Sequence, residues 1–256
     1  MKVVYHEDYN EVYSSDPASA SGRIQAVEMA LRGKVTFVEP SAAAKEDILK
    51  VHTPDHVRSV EREGVYDIAA LAAGGAIKAA QIGLTEPCFA LIRPPGHHAS
   101  AGSAWGFCYF NNMAIALEKL GREGKVKKAF ILDFDLHFGD GNVNILGNKG
   151  YVTIYNPASS NRNEYLKNVQ DALAETDADM IAVSAGFDNH EADWGGLLKT
   201  EDYKYMGKLV RETAKRNNGG CFGVLEGGYN HNVLGKNVLA FVEGLETKEY
   251  PYEIPS

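Results

Sequence analysis

The sequence predicts a single α/β domain built around a mainly parallel sheet, and three patterns predict it. Short apolar runs, such as AFIL at 129–132 and MIAV at 180–183, contain no polar alternation, which is typical of strands buried on both faces. Longer segments with a helical period separate these runs, and no long linker, low-complexity stretch or internal repeat interrupts the alternation. We therefore expect one domain over residues 1–256, with helices on both faces of the sheet.

Seven runs are predicted strands and six segments are predicted helices. The predicted strands are Lys2–Tyr5, Val35–Val38, Cys88–Ile92, Ala129–Phe134, Tyr151–Tyr155, Met180–Ser184 and Cys221–Leu225. The predicted helices are Arg23–Leu31, Asp67–Ile82, Asn112–Leu120, Glu164–Ala174, Glu201–Arg216 and Val233–Leu245.

Composition restricts the partners and the compartment. The formal net charge is −8, and nucleic acid is not an expected partner because phosphate binding favours a basic surface. No apolar run approaches the roughly 20 residues that span a bilayer, and the N-terminal segment MKVVYHEDYN has no apolar signal core, so no membrane partner is expected. The three cysteines form no CxxC pair, which favours a reducing compartment. We expect a soluble, cytoplasmic protein, and a homo-oligomer is compatible with the sequence.

Polar or glycine-rich loops directly follow four of the predicted strands. In an open α/β sheet, ligands bind in the crevice beyond the carboxyl ends of the strands, so these loops are expected to meet at one edge. The loops are RPPGHH at 93–98, DLHFGDG at 135–141, AGFD at 185–188 and EGGY at 226–229. Together they gather histidine, aspartate and tyrosine in one place.

Asp135 and His137 are two residues apart, so on extended chain their side chains point to the same side. With Asp188 from a neighbouring loop they offer three protein ligands and leave a position open, as catalytic metal sites do. Taken singly, an aspartate or histidine at a strand end more often caps a loop, tandem histidines are as often structural, and a tyrosine such as Tyr229 usually lies in the core or at a rim. Only the combination predicts a site.

Five motifs occur in the order found in the histone deacetylase and acetylpolyamine amidohydrolase family. They are RPPGHH (93–98), GFCYFNN (106–112), DFDLHFGDG (133–141), SAGFD (184–188) and EGGY (226–229). The sequence resembles this family from about Tyr5 to the helix after Tyr229. The resemblance implies the arginase-deacetylase fold, with a parallel sheet of about eight strands between helices.

The resemblance also implies a role for individual residues. Asp135, His137 and Asp188 would bind Zn²⁺, and Fe²⁺ and Co²⁺ suit the same donors. His98 would be the general base and acid, and His97 would be its electrostatic partner. Asp133 and Asp140 would orient His97 and His98 respectively. Tyr229 would donate a hydrogen bond to the substrate carbonyl, and Gly106 and Phe107 would form part of the acyl channel. Asp133 and backbone carbonyls near Asp135 and His137 would also hold a structural K⁺.

The implied reaction is zinc-dependent removal of an acetyl or another short acyl group from an amine. Acetyllysine in a peptide and small molecules such as acetylpolyamines fit it equally. Two alternatives remain open: a catalytically weak relative that binds acetylated ligands, and an arginase-type ureohydrolase. The second class typically has an Asp-x-His-x-Asp order for two metals, whereas this chain has Asp133-x-Asp135-x-His137, which builds one metal site.

Three departures from the family pattern bear on the site. Phe138 stands where many relatives have a second histidine, and Arg23 is the residue that matches a family arginine near the N-terminus. The segment NPASSNRNEYL at 156–166 is short where the family often has a long loop with a channel aromatic, so Tyr155 or another residue is expected to supply that wall. We interpret Trp105 as a core or rim residue. Asp193 and Trp194 are interpreted as loop structure, with shaping of the mouth of the site as the alternative, and no function is assigned to His52 or His56.

Overall fold

Seven parallel strands form one sheet within the part of the chain that the structure describes. The structure is a computed structural model, and it describes residues 1–247 and 254–255. The strands are β1 (Lys2–Val4), β2 (Thr36–Val38), β3 (Cys88–Ala90), β4 (Ala129–Asp133), β5 (Val152–Tyr155), β6 (Met180–Ala185) and β7 (Gly220–Leu225). Their order across the sheet is β2-β1-β3-β7-β6-β4-β5, and each neighbouring pair runs parallel.

Each of the seven predicted strand runs overlaps one of these strands, although β6 and β7 each extend one residue beyond the predicted run. The predicted parallel α/β class is confirmed. The count in the described residues is seven, rather than the eight or so that the family resemblance implies. Residues 248–253 and 256 of the predicted domain range lie outside the described residues. The central strands β4, β6 and β7 are buried along their whole length, which accounts for their apolar, non-alternating sequences.

Nine α-helices connect the strands in the described part of the chain. They are α1 (Arg23–Leu31), α2 (Lys45–Ile48), α3 (Pro54–Arg62), α4 (Tyr66–Gly83), α5 (Asn112–Arg122), α6 (Asp140–Leu146), α7 (Arg162–Glu175), α8 (Thr200–Arg216) and α9 (His231–Glu246). The prediction included six of them and missed α2, α3 and α6, of which α2 and α6 are short, with four and seven residues. None of the described helices has both the length and the apolarity that a bilayer span requires.

Helices cover both faces of the sheet. Neighbouring side chains on a strand point to opposite faces, and on β7 Phe222 faces Gly83 of α4 whereas Gly223 faces Phe241 of α9. Helix α5 packs on α4, and helices α1 and α8 pack on α9, so each face carries its own helical layer. The carboxyl ends of the strands are left for loops.

A cluster of buried aromatic rings lies at the carboxyl ends of β4 and β6. The ring centroid of Phe134 lies 5.7 Å from that of Phe187 and 5.3 Å from that of Phe241. Phe134 directly precedes Asp135, and Phe187 directly precedes Asp188. The packing of these rings therefore fixes the start of two of the loops that were predicted to form the site.

We predict that Phe241→Ala lowers the free energy of unfolding by about 3–5 kcal/mol, because it removes a fully buried ring from this cluster and leaves a cavity. Urea unfolding followed by circular dichroism measures the change. Met29→Ala is the control, since Met29 is 71% exposed on α1, and its effect should stay within about 0.5 kcal/mol. Equal losses in the two variants would contradict the assignment of this cluster to the core.

Candidate metal centre

The four predicted loops meet at one edge of the sheet. Strands β3, β7, β6 and β4 are consecutive neighbours, and all four run parallel, so their carboxyl ends lie side by side. The register pairs Asp133 with Ser184 and Ser184 with Val224, which brings the loops after these residues to the same level. Motifs that are far apart in sequence therefore contribute side chains to one place.

Asp135, His137 and Asp188 lie together, with one ligand atom from each within 4.8 Å of the others. The Nδ1 atom of His137 is 3.1 Å from Oδ1 of Asp135 and 3.0 Å from Oδ2 of Asp188. Both carboxylates are buried, whereas the His137 side chain is 37% exposed. The cluster is therefore buried at its two carboxylates and accessible to solvent on the side of His137.

These donors fit a divalent cation. The Oδ2 atom of Asp188 is buried without a hydrogen bond, since Nδ1 of His137 is close to it but not aligned with it. Burial and the charge of Asp135 raise the pKa of Asp188. The hydrogen bond that the His137 ring makes to the Asp135 carboxylate, together with the charge of the adjacent Asp188, raises the pKa of His137 to about 10. A proton on this imidazole and a bound cation would compensate the same negative charge.

Backbone donors and missing side chains fix the two carboxylates. Oδ2 of Asp135 accepts a hydrogen bond from the Gly227 amide at 2.8 Å, and Oδ1 of Asp188 accepts one from the Leu136 amide at 3.0 Å. A Cβ atom on Gly186 would lie 2.0 Å from Oδ2 of Asp135. A Cβ atom on Gly227 would lie 2.6 Å from the same oxygen. The glycines of SAGFD and EGGY therefore provide the space that the carboxylates occupy.

The tandem histidines lie beside this cluster, each with its own carboxylate. Nδ1 of His97 is 3.2 Å from Oδ2 of Asp133, and Nδ1 of His98 is 2.7 Å from Oδ1 of Asp140. Burial alone would lower the pKa of His97, but the charges of Asp133 and Asp135 raise it well above its usual value. Burial and the neighbouring His97 lower the pKa of His98 to about 4, against the opposing effect of Asp140. The two environments therefore favour the charged form of His97 and the neutral form of His98.

Tyr229 lies at the end of the EGGY loop and is held by Asp193, which the sequence analysis interpreted as loop structure. Oδ2 of Asp193 accepts hydrogen bonds from the amides of Tyr229 and Asn230, both at 2.8 Å. The guanidinium of Arg23 is fully buried, donates to the Gly228 carbonyl and lies 5.5 Å from the centre of the Tyr229 ring. Burial, reinforced by the charge of Asp135, raises the pKa of Tyr229, so its hydroxyl keeps its proton.

Gly106 and Phe107 both adopt left-handed backbone conformations, with φ of 58° and 67°. A Cβ atom on Gly106 would lie 2.4 Å from Cδ2 of His98, so glycine is required there. The positive φ of Phe107 is unusual for a residue with a side chain and is a form of strain found at functional sites. This turn places the Phe107 ring edge-on to Tyr229, with centroids 5.9 Å apart.

Both tryptophans lie at the site, although the sequence analysis interpreted Trp105 as a core or rim residue and Trp194 as loop structure. The Trp105 ring lies 3.9 Å from the His98 ring, and the Trp194 ring stacks on Tyr229 at 4.0 Å. Trp194 also meets His137 edge-on at 6.1 Å. Tyr155, by contrast, lines a separate cavity with Phe130 and Thr153, so the second aromatic wall beside the metal ligands is Trp194. In the sequence, the only indication of these contacts is that Trp105 directly precedes the motif GFCYFNN and that Trp194 follows the motif SAGFD closely.

Two histidines without an assigned function hold the loop that carries Trp105 and Phe107. Nε2 of His52 accepts a hydrogen bond from the Asn111 amide at 2.9 Å, and its Nδ1 lies 3.0 Å from the Ser100 carbonyl. Nε2 of His56 lies 2.7 Å from the Tyr109 carbonyl. Because both ring nitrogens of His52 contact backbone groups, it fixes both ends of the loop.

The buried Glu226 of EGGY is a further residue that the sequence analysis left without a role. Its Oε2 accepts hydrogen bonds from the amides of Gly96 and His97, at 2.7 and 3.2 Å. It thereby ties the EGGY loop to the RPPGHH loop beneath the tandem histidines. Phe138, the departure from the family pattern, points outward and is 60% exposed.

Comparisons with known proteins agree with this geometry. The histone deacetylase domain family matches residues 17–157 and 147–245, two segments that overlap at 147–157. A probable deacetylase of Methanothermobacter thermautotrophicus is 31% identical over 312 aligned positions, which cover 99% of this chain and 93% of that protein. A probable deacetylase of Archaeoglobus fulgidus is 33% identical over 89% of this chain and 81% of its own length.

A solved structure gives the same architecture. The crystal structure of the HDA15 HD domain superposes with a TM-score of 0.79 and covers 95% of this chain and 88% of that one. The sequence identity is 24%, so this likeness concerns the fold. It confirms the predicted arginase-deacetylase fold.

We predict that Gly186→Ala weakens metal binding by at least tenfold, because the added carbon would displace the Asp135 carboxylate. Asp135→Ala, which removes the ligand itself, should abolish metal retention. Zinc content after gel filtration and calorimetric titration of the apoprotein measure both effects. Gly150→Ala is the control, since a Cβ atom there would meet no atom within 4 Å. Normal zinc affinity in Gly186→Ala and Asp135→Ala would show that the ligands are wrongly assigned.

Proposed function

The chain belongs to the histone deacetylase family, and on that premise we propose that it is a metal-dependent amidohydrolase. It removes acetyl or other short acyl groups from amines by hydrolysis of a linear amide. The observation that carries the proposal is the open cluster of Asp135, His137 and Asp188 beside a neutral histidine that is oriented by its own carboxylate. A metal, a base and a water-accessible side are the three requirements for this hydrolysis.

Asp135, His137 and Asp188 would hold the ion. Two carboxylates and one imidazole suit Zn²⁺, and Fe²⁺ and Co²⁺ remain alternatives. When bound, the ion would polarise the amide carbonyl and make a water molecule more acidic. Asp133 would hold a structural K⁺, which is supported by its buried Oδ1 atom that has no hydrogen-bond partner.

His98 acts as general base and then as general acid. Its Nδ1–H donates to Asp140, which leaves Nε2 unprotonated and able to accept a proton. Nε2 takes the proton of the attacking water as the carbon–oxygen bond forms. It returns that proton to the amine nitrogen as the carbon–nitrogen bond breaks, so the histidine ends in its starting state.

His97 and Tyr229 stabilise charge on either side of this transfer. The carboxylate of Asp133 keeps His97 protonated, and the positive charge of His97 favours the neutral, basic form of the adjacent His98. Tyr229 keeps its hydroxyl proton and donates a hydrogen bond to the carbonyl oxygen as negative charge develops there. Gly106 and Phe107 form the adjacent wall on which the acyl group rests.

The substrate is an N-acetyl amine, either a peptide with acetyllysine or a small molecule such as an acetylpolyamine. We place the protein in the cytoplasm, which is supported by three free, buried cysteines. Nucleic acid and membranes are not proposed partners, and assembly into a homo-oligomer fits the proposal. A catalytically weak acetyl-binding relative remains the second candidate. An arginase-type ureohydrolase is disfavoured because the cluster found among the described residues offers three ligands, which suit one metal ion rather than two.

We predict that the purified protein retains about one zinc ion per chain and deacetylates at least one member of a substrate panel. The panel contains acetyllysine peptides, acetylputrescine and acetylspermidine, and product amine is measured by mass spectrometry. A chelator should abolish turnover, and Zn²⁺, Co²⁺ or Fe²⁺ should restore it. Binding of acetylated ligands without turnover would favour the second candidate, and absence of both metal and activity would exclude the enzyme.

We predict that Tyr229→Phe lowers kcat by about 10²–10³-fold, because it removes one donor to the developing oxyanion. Its zinc content should equal that of the wild type, since Tyr229 is not a ligand. The control is Tyr155→Phe, which lies in the separate cavity beside β5 and should leave kcat unchanged. Unchanged turnover in Tyr229→Phe would remove the proposed role.

A further inference from the structure

We propose that Trp105 is a positioning residue that acts on the proposed base His98 through stacking and through Asp140. The inference rests on the proposed function and adds to it a residue outside the family motifs. It is based on three contacts of His98: its ring lies between those of His97 and Trp105, and its Nδ1 atom contacts Asp140.

His98 is the middle ring of three. The centroid of its imidazole lies 4.0 Å from that of His97 and 3.9 Å from the Trp105 ring, with interplanar angles of 41° and 32°. Rotation of the His98 side chain would therefore drive its ring into one of the two neighbours. Rings at these distances also attract each other through dispersion and electrostatics.

Trp105 also completes the hydrogen bonds of Asp140. The indole Nε1–H donates to Oδ2 of Asp140 at 2.9 Å, while Oδ1 of the same carboxylate lies 2.7 Å from Nδ1 of His98. The Asp140 side chain is 33% exposed, so without a second partner it would be free to rotate. The indole fixes the plane of the carboxylate and thus the direction in which it meets His98.

Gly106, the residue that follows Trp105, also contacts His98. Its backbone leaves no room for a side chain next to Cδ2 of His98. His98 is therefore enclosed by His97, Trp105, Asp140 and Gly106, and Nε2 is the nitrogen left for proton transfer. Trp105 itself is 56% exposed, so burial of the indole in a core does not account for its placement.

Two substitutions separate the two contacts of Trp105. Trp105→Phe keeps a ring for stacking but loses the hydrogen bond, whereas Trp105→Ala loses both. We expect kcat to fall about tenfold in Trp105→Phe and about 100-fold in Trp105→Ala, a part of the 10²–10⁴-fold that a positioned base contributes, with KM within about twofold of wild type. A rise in KM with unchanged kcat in both variants would overturn the proposal and make Trp105 a substrate wall.

A double-mutant cycle tests the route through Asp140. If Trp105 acts through that carboxylate, Trp105→Phe should have little further effect on kcat once Asp140 has been replaced by alanine. Independent, multiplicative losses would contradict the route. Circular dichroism and zinc content of each variant show that the fold and the metal cluster persist.

A spectroscopic readout does not depend on activity. The chain has two tryptophans, so a ¹⁵N–¹H spectrum of the indole groups contains two signals, and Trp105→Phe assigns them. We expect the Trp105 indole proton to exchange slowly and to shift in Asp140→Ala, while the Trp194 signal stays in place as the internal control. An indole signal of Trp105 that exchanges rapidly and ignores Asp140→Ala would overturn this proposal, whereas a wild type that is inactive on every substrate would overturn the proposed function instead.

Discussion

The burial of Asp135 and Asp188 in one small volume is the constraint on which the site depends. Two carboxylates removed from water lose hydration worth several kcal/mol each, and their mutual repulsion grows in a low-dielectric interior. Backbone amides of Leu136 and Gly227 return part of that loss. Positive charge compensates the rest: from His97, whose Nε2 lies 3.8 Å from Oδ1 of Asp135, from His137 when it is protonated, or from a cation. The two carboxylates thus favour the presence of a cation between them.

This constraint explains why the motifs contain the small residues that they do. Gly186 and Gly227 mark the two points where a carbon atom would collide with the buried Asp135 carboxylate, and Gly106 marks the equivalent point beside His98. The aromatic residues Phe134 and Phe187 serve the complementary purpose, since their packed rings hold the backbone immediately before each aspartate ligand. In SAGFD, for example, the glycine Gly186, the packed ring of Phe187 and the carboxylate of Asp188 follow one another directly.

The sequence predicted the sheet well because the relevant signal is local. A buried parallel strand needs an apolar run of a few residues, and each of the seven runs showed one. Helix α6 was missed because Asp140–Leu146 contains two asparagines and a glycine, so its helical state depends on the neighbouring metal loop. The edge at which the loops meet followed from topology alone, since the loops after parallel neighbours share an edge.

The contacts within the site were less accessible to sequence reasoning. The pairs His97–Asp133 and His98–Asp140 followed from family resemblance, because spacings of 36 and 42 residues carry no periodic signal. Contacts made by Trp105 have the same character, since its partner Asp140 lies 35 residues away. Such pairs are set by the approach of loops from different strands, which a single sequence does not encode in any local pattern.

The segment after β5 lies beside the candidate metal cluster. The alignment with the Methanothermobacter relative spans 312 positions whereas this chain has 256 residues, and the family match breaks at 147–157, beside this loop. Here Asn156 accepts a hydrogen bond from the Gly139 amide, and a cavity of about 390 Å³ lies between Leu136 and the segment 157–160. The cavity is also lined by Asp135, so it reaches the candidate metal cluster. Trp194, stacked on Tyr229, provides an aromatic wall that does not depend on the segment after β5.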